Sequence, residues 1–289
     1  MRISTQQITQ NAVRALQDRL TSLASAQDEV TTGRRVNTVS DDPVDAGRIM
    51  RLDGSLRDLD QYRRNGTAAT TRLSAEDSVL SSLRSLLGQA RDLALKAASD
   101  DPADPTRLAA LAAVNQVRDQ VIGLGNTRVG NEYIFGGGQS TVAPFINTTG
   151  TYVGDSLVRQ AVIDNGVTVD LNHTGDQIFQ PALQALDALR TELQTGTAAT
   201  IQASADGVNA AEDQALAGQS IIGLRLQQVR DTGADVARRS GMLIDQRNAV
   251  RDADPTTSVV KLMDSQSALE RAYAALGRVL NTNLLDYLR

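Results

Sequence analysis

The sequence predicts a mainly α protein, built of long antiparallel helices and coiled-coil terminal helices, with one small β-rich insertion domain. Three observations carry that expectation. Six prolines divide the 289 residues into long intervals of helical periodicity, an apolar residue recurs at every seventh position from Ile201 to Val250, and Tyr133, Phe135, Phe145, Tyr152 and Phe179 crowd the few aromatics into one segment.

Composition bounds the rest. A chain of this length exceeds the size at which one core usually stops growing, so more than one packed unit is expected. Hydrophobic residues make up 41%, but aromatics only 3% and Trp is absent. The interior therefore falls to Leu, Val, Ile and Ala, a palette suited to helices packed side by side. With 29 Lys and Arg against 34 Asp and Glu, the net charge of -5 argues against nucleic acid or an anionic membrane as partner. No apolar run approaches the roughly 20 residues that span a bilayer, and Met1 to Gln10 lacks the apolar core of a secretory signal. The expectation is a soluble chain that, if it leaves the cell, does so without a cleaved signal peptide. The absence of Cys removes disulfides, thiolate metal sites and cysteine nucleophiles together.

The first helix follows from Val13, Leu16, Leu20, Leu23 and Val30, a three-four alternation that leaves one narrow seam on an otherwise polar surface, ending near Gly33. In Ser40-Asp41-Asp42-Pro43, Asp42 suits an N-cap and Pro43 the first helical position, where its missing donor costs nothing. Leu52, Leu56, Leu59, Leu73, Leu80, Leu87, Ala90 and Ala97 then continue one stripe toward Ser99, a helix on the order of 80 Å long. After the Asp100-Asp101-Pro102 and Asp104-Pro105 turn, Leu108, Leu111, Val114, Val117, Val121 and Ile122 predict a returning helix.

Residues 131-180 change character. Tyr133-Ile134-Phe135 reads as a strand before the Gly136-Gly137-Gly138 turn. Val158 to Ile163 and Val167 to Leu171 read as a hairpin about Asp164-Asn165-Gly166. Glu132, Asp155, Asp164, Asp170 and Asp176 against Arg159 make this an acidic unit, expected to face outward. Helix resumes with Leu183, Leu186, Leu189 and Leu193. The seven-residue series Ile201, Val208, Ala215, Ile222, Val229, Val236, Leu243 and Val250 follows, and it needs a partner helix such as that beginning at Pro43. Beyond Pro255 a last seam runs through Leu262, Leu269, Tyr273, Leu276, Leu280 and Leu284. The domain reading is therefore nested: 1-42 with 255-289 as a terminal coiled coil, 43-130 with 181-254 as a long-helix bundle, and 131-180 as the β-rich domain.

Catalytic equipment is sparse. The single histidine, His173, follows a strand pattern and reads as a solvated turn residue, and no cysteine exists. Gly136-Gly137-Gly138 lacks the Lys-Ser or Lys-Thr of a phosphate loop. Asp41, Asp42, Asp45 and Asp53 lack the alternate-position spacing of a calcium loop. No enzyme, cofactor or metal is expected. The terminal seams, Val13, Leu16, Leu20, Leu23 and Val30 with Leu262, Leu269, Tyr273, Leu276, Leu280 and Leu284, fit an internal core stripe and an assembly interface equally.

Met1-Arg2-Ile3-Ser4-Thr5, Gly33-Arg34-Arg35-Val36-Asn37 and Ser40-Asp41-Asp42-Pro43 resemble the amino-terminal signature of the flagellin-like family in its hook-filament junction version. Asn126-Thr127-Arg128, Tyr133-Ile134-Phe135-Gly136-Gly137, Pro144-Phe145, Tyr152-Val153-Gly154-Asp155, Gly175 and Ile178-Phe179 are similar to its passage through an outer domain. Asn283-Leu284-Leu285-Asp286-Tyr287-Leu288 is similar to its carboxyl end. The third glycine, Gly138, and the polar Asn281-Thr282-Asn283 depart from the family pattern. The resemblance implies a non-enzymatic structural subunit of the bacterial flagellum, located outside the cell at the hook-filament junction. Its terminal helices would form the inner coiled coil and would be the interface for self-assembly into a ring. Its neighbours would be hook-associated protein 1 and flagellin, and a cytoplasmic export chaperone would hold the carboxyl-terminal region during type III export. The alternatives are a flagellin-type filament subunit and, in a different class, a cytosolic coiled-coil interaction protein.

Overall fold

The computed structural model describes residues 2-287 in backbone, and the side chains of residue 7 and residues 10-278. The element order is α1 (Arg2–Thr32), α2 (Pro43–Lys96), α3 (Pro105–Gly125), β1 (Arg128–Val129), β2 (Glu132–Tyr133), β3 (Gln160–Asp164), β4 (Val167–Asp170), α4 (Gly175–Thr195), α5 (Ala198–Arg251) and α6 (Pro255–Tyr287). The chain forms two compact units, residues 1-58 with 239-289 and residues 59-238.

In the first unit α1 ends where Gly33 takes φ +67°, a backbone region that glycine enters at no steric cost. The connection to α2 is tied to the break between α5 and α6. Arg34 and Asp252 form an isolated antiparallel bridge, and the Arg35 amide donates to the Arg251 carbonyl at 2.8 Å. The Ala253 amide donates to the Gly33 carbonyl at 3.0 Å. Asp42 caps α2 by accepting from the Val44 and Asp45 amides at 3.1 and 3.0 Å, with Pro43 at the first helical position. The carboxyl of Asp42 is held below the usual carboxylate range by the Asp45 amide and then by the Arg35 guanidinium.

In the second unit the helical segments bury the stripe that periodicity marked. Leu73, Leu80, Leu87, Ala90 and Ala97 on the α2 side meet Ile201, Val208, Ala215, Ile222 and Val229 of α5 in one core. The two run antiparallel, with Arg84 reaching Gln219 at 3.1 Å and Arg91 reaching Asn209 at 3.1 Å. α3 and α4 add Val114, Val121 and Ile122 and Ile178, Leu183, Leu186 and Leu189. Leu108, expected in the α3 seam, is instead 52% exposed.

The strands are shorter than the residue pattern implied. β2 stops at Tyr133, because Ile134 and Phe135 turn inward to the core, where the Phe135 ring meets Phe179 edge-on at 4.7 Å. β3 and β4 pair antiparallel about the expected turn, with a bulge between Val162 and Asp164. α4 begins at Gly175, so Pro181 lies inside the helix rather than at its end. The missing Pro181 donor leaves the Gln177 carbonyl without its helical partner. Gln214 Nε2 of α5 donates to that carbonyl at 2.7 Å, which satisfies it. The glycine run is a tight turn, with Gly137 at φ +67° and the Gln139 amide donating to the Gly136 carbonyl at 3.2 Å. The Gly138 and Leu157 amides both donate to Asp155 Oδ1, at 2.7 and 3.0 Å.

Candidate assembly interface

α1 packs along α6 within the first unit, so the first and last helices meet although they are far apart in sequence. The contact is polar at the α1 exit, where Glu29 accepts from Ser258 Oγ at 2.9 Å and from Lys261 Nζ at 3.0 Å. Away from that pairing it is made by small and branched residues. Ala26 is 5% exposed, and Leu16, Leu23, Leu262, Leu269 and Leu276 are half-buried.

Not every seam residue is covered. Val13, Leu20 and Val30 on α1 and Tyr273 on α6 remain exposed, at 43%, 43%, 38% and 51%. Val259, Val260 and Met263 of α6, which the periodicity did not mark, are exposed as well. Leu280 and Leu284 lie outside the residues whose side chains are described. Full burial of a Val or Leu contributes about 1.5–3 kcal/mol, whereas ordering the backbone costs about 1–2 kcal/mol per residue. A helix of 31 residues whose seam is half-covered therefore draws little net stability from its one partner. Ala26 and Ser258 escaped the reading because small and polar residues carry no apolar signal, although Ala26 lies three positions after Leu23, on the same face.

His173 corrects the expectation of a solvated turn. It is 7% exposed and sits against Glu76 of α2, which is fully buried. One oxygen, Glu76 Oε1, accepts from the His173 amide at 2.8 Å and lies 2.7 Å from His173 Nδ1. The pair pins the Asn172-His173-Thr174 connection to α2, and no local pattern could announce a partner 97 positions away. The acids of the β-rich segment are likewise used internally. Glu132 binds Arg72 and Arg159, Asp170 binds Arg225 at 3.2 Å, and the Glu132 carboxyl is held low chiefly by Arg159. Burial, with Asp176 nearby, pushes the Tyr152 phenol up to about 12, so it stays protonated, within donating distance of the Asp155 carbonyl at 2.6 Å and the Phe135 carbonyl at 3.1 Å. Among the described residues no three carboxylate or imidazole groups converge on a common point that could hold a metal ion.

One unit of the chain thus holds the polar-surfaced α1–α6 helix pair, and the other is helical with two small antiparallel hairpins. Comparison with known proteins gives that build its relatives. Residues 3-140 match the model of the bacterial flagellin N-terminal helical region. The chain is 25% identical to flagellar hook-associated protein 3 of Escherichia coli (strain K12), over 95% of this chain and 96% of that protein. It is 32% identical to flagellar hook-associated protein 3 of Salmonella typhimurium, over 62% of this chain and 57% of that protein. The crystal structure of Bacillus cereus FlgL shares the fold, with a TM-score of 0.61 and 19% identity over 68% of this chain and 99% of that one. The chain thus carries the flagellin N-terminal helical region in its first half and is similar to flagellar hook-associated protein 3 over nearly its full length. It is a structural protein of the flagellum and not an enzyme.

Proposed function

We propose that this protein is an adapter that joins the flagellar hook to the flagellin filament, and that it assembles through its terminal helices. The observation that carries the reading is the incomplete α1–α6 pair. Its seam residues Val13, Leu20, Val30 and Tyr273 stay exposed within one chain, in a protein similar to flagellar hook-associated protein 3. Each helix gains the missing partners only from neighbouring copies, which closes a ring through Val13, Leu16, Leu20, Leu23, Val30, Leu262, Leu269, Tyr273, Leu276, Leu280 and Leu284. Hook-associated protein 1 stands on one side of that ring and flagellin on the other. The same apolar seams are the surface a cytoplasmic chaperone would cover in the carboxyl-terminal region before export, which takes place without a cleaved signal peptide to the outside of the cell. The domain division 1-42 with 255-289, 43-130 with 181-254, and 131-180 is part of the proposal.

Labelled protein imaged on cells tests the role. Signal confined to the base of each filament is expected, and signal along the filament would assign a flagellin-type subunit instead. Leu276→Asp buries a charge without a partner in the assembled seam. It is expected to abolish incorporation while the circular-dichroism melt of the second unit stays unchanged, and normal incorporation would overturn the interface.

A further inference from the structure

A shallow apolar groove in the second unit lies between α2 and α5, floored by Gly66, Val229 and Val236 and flanked by Arg63, Arg230 and Gly233, with a volume of about 170 Å³. A Cβ added at Gly66 would come no nearer than 3.7 Å to Val229, and one at Gly233 would meet nothing within 4 Å, so the groove has room for an incoming side chain. Its charged flanking residues are both arginines. Arg63 is 67% exposed although it contacts Asp60, and Arg230 is exposed, with no ion pair among the described residues.

The same unit carries the complement at its other end, on the order of 45 Å along α2. The turn from α2 to α3 presents Asp100, Asp101 and Asp104 against one exposed Lys96, between Leu95 and Leu108, which are 50% and 52% exposed. Arg107 beside it neutralises none of these acids, because it is fully buried and bound to backbone carbonyls. The acids are fixed in place: Asp100 accepts from the Ala198 amide at 2.7 Å, Asp101 from Ala103 at 2.9 Å and Asp104 from Thr106 at 2.7 Å.

We propose that the groove between Arg63 and Arg230 receives the acidic, leucine-flanked turn at 95-108 of a second copy of this chain. The inference rests on the assembly reading above and adds a contact to it. Groove and turn are different surfaces of one molecule, so the contact is head-to-tail, closing into a ring or running on, as the rotation dictates. Opposite charge orients the encounter, and a leucine filling the groove excludes water from it.

The chain has no cysteine, which permits a direct test in the full-length protein. Copies carrying Arg230→Cys are mixed with copies carrying Asp101→Cys, assembled and oxidised. A disulfide-linked dimer of the two is expected. Arg230→Asp should raise the concentration required for assembly about tenfold at low salt, Asp101→Arg with Asp104→Arg should restore it, and Gly233→Leu should block the groove without altering the melt. Assemblies that form but yield no cross-link, or that ignore charge reversal, overturn this contact alone. A cross-link from Arg230→Cys to a different flagellar subunit, and none to Asp101→Cys, overturns the second copy as occupant. If the unmodified chain never associates and Leu276→Asp changes nothing, the terminal-helix reading fails together with it.

Discussion

Replacing Arg107 with methionine removes a guanidinium that is fully buried yet forms no ion pair with a carboxylate among the described residues. Its Nε donates to the Leu193 carbonyl at 2.7 Å, Nη1 to Ser99 at 2.8 Å, and Nη2 to Glu192 and Gly196, both at 2.7 Å. Glu192 and Leu193 lie in the last turn of α4, at the negative end of the helix dipole, where the Glu192 carbonyl also accepts from the Gly196 amide at 2.8 Å. One side chain thus closes the α4 terminus, the turn leaving α2 and the approach to α5. Leu193 is buried while Glu192, Gly196 and Ser99 are half-buried, so water can replace three of the four donors. Counting about 1 kcal/mol for each bond exchanged for water, and somewhat more for the buried carbonyl, the substitution should cost about 4 kcal/mol. For a unit of this size that lowers the melting temperature on the order of 10 °C. Arg107→Lys should recover only part, since an ammonium is a point donor without the planar fork. Circular dichroism at 222 nm during thermal and urea unfolding measures both variants. A methionine variant within about 1 kcal/mol of the parent, a small surface-type effect, would refute the assignment.

Three other outcomes follow from the same geometry. Glu76→Ala strands the His173 amide and ring in the core and should cost about 2–4 kcal/mol, with Glu76→Gln milder because its carbonyl keeps one acceptor; equal urea midpoints for the two variants would exclude the pairing. Asp42, Asp41, Asp254 and Asp155 all have folded carboxyls held low by backbone or hydroxyl donors in the two helix breaks and the glycine turn. Their stabilisation is present in full above the ordinary carboxylate range near pH 4 and is lost as the pH falls through the lower folded values, so a pH titration of amide exchange should show these connections loosening in acid, and resistance to pH 2 would contradict it. In the unassembled protein, amides of α1 and of the distal part of α6 should exchange far faster than those of α4, and equal protection would show the terminal pair to be complete by itself.

Much of the architecture was legible because it follows from spacing along one strand of sequence. The seven-residue series from Ile201 to Val250 is buried at every position except Leu243, which is half-buried, and Pro43, Pro105 and Pro255 each open a helix. The candidate interface was legible as a seam, but its uncovered share was not: Val13 and Leu16 look alike in sequence, while one is exposed and the other half-buried. The acid count of the β-rich segment pointed outward, whereas Arg72 and Arg225 from the long helices take up Glu132 and Asp170.

By itself the sequence determined where α2, α3 and α6 begin, at Pro43, Pro105 and Pro255, and the apolar stripe along α5, since these depend on residues a few positions apart. Only the tertiary structure decided that His173 joins Glu76, that Gln214 supplies the donor Pro181 lacks, and that Arg107 closes α4. Most polar groups in a core find a hydrogen-bond partner, and the partner is whichever group the packed backbone brings within about 3 Å, irrespective of its place in the chain.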